Sequence, residues 1–166
     1  MSLPRAASRP VATPQKGGLR AGGLRVDGVP ERGKAKAMIH CFPIRIYYED
    51  TDLAGVVYYA NYLRFIERAR TEWARENGVD QVRMREEEGL VLAVRRVEAD
   101  YLRPARFDDL VEVRTEVETA SVARLVLRQE VWRESEQLFA ARVTLAAMDG
   151  VGRARRLPAR LLGRQV

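Results

Sequence analysis

The chain carries one long stretch of helical periodicity, followed by short runs of strand periodicity and no second long helix. From Val57 or Tyr58 to Asn77, the residues Tyr62, Ile66, Ala69 and Trp73 recur at spacings of three and four, and Leu63 and Phe65 widen that stripe. A face this apolar has to be covered. Ahead of it, Phe42, Ile44, Ile46 and Tyr48 alternate with Pro43, Arg45 and Tyr47, which reads as a strand with its proline near the start. Gly78 is placed to end the helix. Asp80 is placed to cap a short second helix that stops at Gly89. Strands follow over Leu90–Tyr101, Asp109–Glu118, Val122–Arg133, Leu138–Met148 and Arg153–Leu157, with breaks at Pro104, at Glu134–Gln137 and at Asp149-Gly150. Val111, Val113, Thr115 and Val117 share one face of their strand. Leu125, Leu127 and Val131 share one face of the next, with Val126 and Trp132 opposite. Pro158 is suited to open a short last helix. The order predicts an α+β fold in which one antiparallel sheet of five or six strands curves around one long helix.

The net charge of +6 is confined to the beginning of the chain. Residues 1–37 hold eight basic and two acidic residues, and the remainder holds 21 of each. The folded part is therefore neutral, and no nucleic-acid partner is expected. Residues 1–37 also carry four of the seven prolines and six of the twelve glycines, without apolar periodicity. They read as a disordered basic extension, or as a translated stretch ahead of a start at Met38, with the working domain over 38–166. The extension lacks the apolar core of a secretory signal, so a cytoplasmic location is expected.

One cysteine, Cys41, and one histidine, His40, are present. They are adjacent on a strand, so their side chains point to opposite faces and do not form a catalytic pair. Two such residues do not make a zinc site. Any chemistry is left to carboxylates, and no metal or organic cofactor is required.

Three acids, Glu49, Asp50 and Asp52, follow the first strand and lie just before the long helix. Acids there often only complement the helix dipole, worth about 0.3–1 kcal/mol. The same spacing brings a carboxylate toward the free N–H groups of the first turn, where a carbonyl oxygen can be polarised by backbone donors.

The stretch Tyr47–Arg70 resembles the signature of the 4-hydroxybenzoyl-CoA thioesterase family of hotdog proteins. The matching residues are Tyr48, Thr51, Asp52, Gly55, Val57, Tyr59, Tyr62, Leu63, Glu67, Ala69 and Arg70. Its YYEDTD opening and the ERARTE run over Glu67–Glu72 are most similar to the acyl-CoA thioesterases associated with the Tol–Pal system. The likeness extends more weakly over Met38–Leu162. It implies a hotdog fold and hydrolysis of an acyl-CoA, with Asp52 as nucleophile or general base. It implies that the backbone N–H of Tyr59 polarises the thioester carbonyl, that Gly55 lets the loop approach substrate closely, and that Val57 and Tyr58 belong to the substrate-binding side. It implies a homodimer or homotetramer with sites at the subunit interface, and peripheral association with the inner membrane. Many members of that branch have histidine where this chain has Tyr59, so a side-chain role for that histidine does not carry over, whereas the backbone role does. The alternative is a non-catalytic hotdog module that binds acyl carriers or a cell-envelope partner.

Other residues have structural readings. Glu67, three residues from both Arg64 and Arg70, is expected to form helix ion pairs. Glu86-Glu87-Glu88 reads as a solvated face. Arg95, Arg96, Arg103, Arg106 and the run 153–156 read as surface arginines, some of which are suited to the phosphates of CoA.

Overall fold

The structure is a computed structural model in which residues 38–162 are described, so the expected extension over 1–37 lies outside the described residues. Strand β1 (His40–Arg45) is followed by a short 3-10 turn (Tyr48–Asp50), helix α1 (Tyr59–Glu76) and helix α2 (Gln81–Glu88). Strands β2 (Leu90–Tyr101), β3 (Leu110–Ala120), β4 (Leu125–Arg133), β5 (Glu136–Asp149) and β6 (Ala154–Arg155) come next, then helix α3 (Ala159–Leu162). The sheet is antiparallel in the order β1-β3-β4-β5-β2, with the short β6 also paired to β5. Register shifts at Val94/Arg96, Val117/Thr119 and Val131/Trp132 mark the irregular points of the ladders. Such bulges increase local twist and bend a sheet.

The expected α+β arrangement is the one observed. Helix α1 lies against β1, β3 and β4. Its buried residues are Asn61, Tyr62, Phe65, Ile66, Ala69, Trp73 and Ala74. They meet a sheet face built from Ile44, Val111, Val113, Leu125, Leu127, Val131, Phe139, Val143 and Leu145. Leu63, expected in the buried stripe, is instead exposed on the flank of the helix. The opposite sheet face is polar and laced with ion pairs, among them Arg114–Glu112, Arg142–Glu118 and Arg96–Glu98. Exposed pairs of this kind contribute at most about 1 kcal/mol each.

Two polar side chains sit inside the apolar layer. Gln129 and Thr115 are both 0% exposed. Gln129 Nε2 donates to the carbonyl of Ile66 on α1 (2.8 Å) and to Thr115 Oγ1 (3.0 Å), and its Oε1 accepts from Arg70 Nη1 (2.7 Å). Burial holds the Arg70 guanidinium below its ordinary value, with the Glu67 charge opposing that shift. The ion pairs expected of Glu67 are not the contacts made among the described residues. Arg70 turns under the helix to Gln129, and Glu67 accepts from Thr71 Oγ1 at 2.9 Å.

The first strand also ends earlier than its alternation implies. Ile46 remains fully buried, but Tyr48 is 82% exposed. Asp50 Oδ2 accepts from the Tyr47 N–H at 2.9 Å, which folds the chain into the 3-10 turn. Asp80 caps α2 by accepting from the N–H groups of Val82 and Arg83, as its position implied. His40 and Cys41 point apart as expected: Cys41 is exposed, whereas His40 turns toward Glu76, with Nε2 at 3.3 Å from its carboxylate.

Candidate active site

The segment between the 3-10 turn and α1 folds back on itself. Thr51 and Val57 form an antiparallel bridge. Inside it, the Asp52 N–H donates to Val56 O (2.9 Å) and the Gly55 N–H donates to Asp52 O (2.9 Å). This is a hairpin with a three-residue loop whose third member is left-handed, a position that Gly55 fills with φ +71°. A Cβ at Gly55 would meet nothing within 4 Å, so its requirement within this chain is conformational. Asp52 Oδ1 accepts from the Ala54 N–H at 2.8 Å, which fixes the carboxylate over its own turn. Asp52 is exposed, and Oδ2 has no protein donor among the described residues.

The three acids are thereby separated. Asp50 is buried and its side chain serves the 3-10 turn. Glu49 is exposed without a partner among the described residues. Asp52 alone of the three combines a fixed orientation with exposure. None of the three caps α1. The N-cap residue Tyr58 makes no side-chain cap bond, and the first turn holds no acid. Among the described residues the N–H groups of Tyr59 and Ala60 have no acceptor, so the positive end of the helix dipole is unanswered.

The hairpin is clamped to the helix. Asp50 O accepts from both the Tyr58 N–H and Asn61 Nδ2, each at 2.9 Å. Val57 is buried, and its N–H donates to Ala105 O at 2.9 Å. The Ala105 N–H donates in turn to the Tyr62 hydroxyl at 2.9 Å, and burial pushes that phenol up from its ordinary value. Asp52 is two residues beyond Asp50, and Tyr59 is one beyond Tyr58. Two residues of extended chain reach roughly 7 Å, so the acid and the open amides belong to one small region.

The exposed rings of Tyr58 and Tyr59 stand 4.6 Å apart between centroids, and Tyr101 on β2 donates its hydroxyl to Tyr59 O at 3.2 Å. Two shallow grooves lie elsewhere. One, of about 170 Å³, runs between α1 and β2 past Glu67, Arg70, Trp73 and Leu92. The other lies beside Ile39 and Arg128. Neither is lined by Asp52 or Tyr59, which are both exposed and form an open floor among the described residues. Of the arginines marked for phosphate, Arg96 pairs with Glu98 (2.8 Å), Arg103 with Glu136 (3.0 Å) and Arg155 with Asp149 (2.9 Å). Arg95 and Arg106 have no ion-pair partner among the described residues, and Arg106 is bridged to Val56 in the hairpin.

Residues 54–140 match the thioesterase superfamily. The chain belongs to that superfamily. The match begins two residues after Asp52, so it covers the helix entrance and not the acid itself. The acyl-CoA thioesterase YbgC of Haemophilus influenzae is 44% identical over 108 residues, which are 65% of this chain and 79% of that protein. The acyl-CoA thioester hydrolase YbgC of Escherichia coli O157:H7 is 39% identical over 109 residues, covering 65% of this chain and 81% of its own. Among solved structures, a probable thioesterase from Bartonella henselae superposes with a TM-score of 0.70 at 36% identity, over 73% of this chain and all of that one. The thioesterase likeness implied by the sequence is thus the family of the chain, and its fold is the hotdog fold.

Asn61 and Gln129 have structural roles that no motif in the sequence marks. Asn61 sits in the middle of the motif, one residue before a matched tyrosine, and a polar residue that continues a buried helical stripe was the available signal. Gln129 interrupts the apolar face of Leu125, Leu127 and Val131 at the position where that face needs another residue.

Proposed function

We propose that this chain hydrolyses an acyl-CoA to a free acid and CoA, and that the working unit is the domain over 38–166. The observation that carries the proposal is the pairing of one open carboxylate oxygen, Asp52 Oδ2, with unoccupied amides at the start of α1, joined by a hairpin hydrogen-bonded at both ends. The thioester oxygen accepts from the Tyr59 N–H, where donors already fixed in place stabilise the charge that develops on it. Gly55 places no side chain at its own position in the loop beside the substrate. Val57 holds the base of the hairpin, and Tyr58 flanks the bound acyl group.

Two routes use the same oxygen. In one, Oδ2 attacks the carbonyl carbon, the C–S bond breaks, and CoA leaves as the thiolate and takes a proton from solvent. Water then cleaves the acyl–Asp52 anhydride, releasing the acid and restoring the carboxylate. In the other, Oδ2 takes a proton from a water molecule whose oxygen attacks the carbonyl. Single-turnover hydrolysis in ¹⁸O-water leaves label in Asp52 when the anhydride is cleaved at its aspartyl carbonyl, and rapid-quench mass analysis for the acylated chain reports the first route whichever carbonyl water attacks. The reading itself is tested by purified Asp52→Asn against a panel of acyl-CoAs. Loss of turnover with a native circular dichroism spectrum is expected, and hydrolysis at the parent rate overturns it.

The second wall of the site is supplied by a second copy of the chain. Strand β2 is an edge of the sheet, and α1 leaves its outer half uncovered. Val94, Val97 and Tyr101 lie on its helix-side face, between 39% and 49% exposed, with the Tyr101 ring beside Tyr59. An edge of this length with apolar side chains invites pairing. Light scattering is expected to give at least a dimer, and Val97→Glu is expected to reduce it to monomers with little activity. The reading assigns the protein to the cytoplasm, where CoA thioesters are made and consumed. Among the described residues no helix is long and apolar enough to cross a membrane.

A further inference from the structure

We infer that Asn61 is the residue that sets where the Asp52 carboxylate sits relative to the open helix amides. The inference rests on the proposed role of Asp52 and assigns the device that positions it. Asn61 is only 7% exposed, in the first turn of α1. Its Nδ2 donates to Asp50 O at 2.9 Å across eleven residues of sequence. A carbonyl can only accept, so the amide nitrogen must face it, and Asn61 is held in one orientation. Its own N–H donates to Tyr58 O at 2.8 Å, and the Tyr58 N–H donates to the same Asp50 carbonyl. Three hydrogen bonds therefore lock Asp50, Tyr58 and Asn61 into one unit. Asp52 leaves that unit on one side and the Tyr59 amide on the other.

The acid-bearing arm of the hairpin meets the helix through Asp50 O, whereas the Val57–Ala105–Tyr62 tie holds the other arm. The side-chain bond from Asn61 adds a second point of attachment to that carbonyl, three residues along the helix, and restricts rotation about the Tyr58–Asp50 bond. A small displacement of a reacting group is costly: about 1 Å can lose a factor on the order of 10² in rate. Asn61 is buried and Asp52 is assigned to the carbonyl carbon, so the expected signature is a loss in kcat without a matching change in KM.

The experiment is a double-mutant cycle on the full chain, read as kcat and KM for one acyl-CoA, with melting curves recorded for every variant. Asn61→Asp keeps the shape and replaces the donor with an acceptor. It is expected to lower kcat about 10- to 100-fold, with KM within about twofold of the parent. In the Asp52→Asn background the same substitution is expected to have no further effect on the residual rate, because there is no longer a carboxylate to misplace. Asn61→Ala, which leaves the Tyr58 bond to Asp50 intact, is the variant read if Asn61→Asp melts below the assay temperature. The inference is overturned if the folded variant keeps the parent kcat, if the loss appears in KM alone, or if the same loss recurs in the Asp52→Asn background. Failure of the Asp52 reading shows separately, as parent activity in Asp52→Asn alone.

Discussion

At its C-terminal end α1 has three of its last four carbonyls provided for. Those of Trp73, Ala74 and Arg75 accept from the N–H groups of Asn77, Gly78 and Val79, and Asn77 Nδ2 adds a second donor to Trp73 O at 2.7 Å. Gly78, at φ +74°, and the fully buried Val79 complete a Schellman closure. At the N-terminal end of the same helix the N-cap residue is a tyrosine with no capping bond, no acid lies in the first turn, and two amides are open. One helix thus ends in two different ways. Polar groups are satisfied where the end only has to be stable, and are left unsatisfied where a substrate oxygen has to be received. The hairpin beside the open end is nevertheless firmly tied, so what is withheld is the cap and not the order.

The largest effect that can break this contrast is Asp52→Asn, expected to lower turnover on the order of 10²- to 10⁴-fold in steady-state assays. Next is Tyr59→Pro. Proline is well tolerated at the first helical position, and Tyr58 at φ −58°, ψ 130° already has the backbone that precedes a proline. The substitution removes the N–H and spares the helix. A loss of roughly 10²- to 10³-fold in kcat is expected, with Tyr59→Ala near the parent rate because the ring is not the donor. Midway along the helix, Gln129→Leu takes the partner from Thr115 Oγ1 and the Arg70 guanidinium and a second donor from Ile66 O. It is expected to cost on the order of 3 kcal/mol in urea unfolding. At the closed end, Gly78→Ala forces a Cβ into the left-handed region and is expected to cost about 1 kcal/mol with kcat unchanged. Smallest is Tyr58→Ser, which supplies the missing cap. It is expected to raise stability by up to about 1 kcal/mol, by accepting from the Ala60 N–H, while lowering turnover severalfold because the ring that flanks the acyl group is lost.

The closed end was legible in the sequence, and the open end only partly so. Gly78 and Asp80 act through their own backbone or that of immediate neighbours, so their residue types announce their roles. The long helix and the faces of β3 and β4 were legible for a similar reason, since burial follows periodicity. The end of β1 was not, because Tyr48 continues the alternation while the Asp50 carboxylate turns the chain away. Arg70 was read as the partner of Glu67, a local pairing, whereas its contact is Gln129, 59 residues away. At the site, Asp52 and Tyr59 stood out through the motif. Asn61 did not, because its importance lies in a carbonyl that no side-chain pattern reveals.

The hairpin from Thr51 to Val57 has one further consequence. Its loop is as short as its left-handed glycine allows, and each flank is bonded to something that cannot slide: Asp50 to the helix, Val57 to Ala105. Side chains at its tip, such as the fully exposed Leu53, are free to drift. A residue inserted or deleted between Asp50 and Asp52 would turn the acid to the opposite side of the ribbon, so descendants of this chain can be expected to vary in spelling there but not in length.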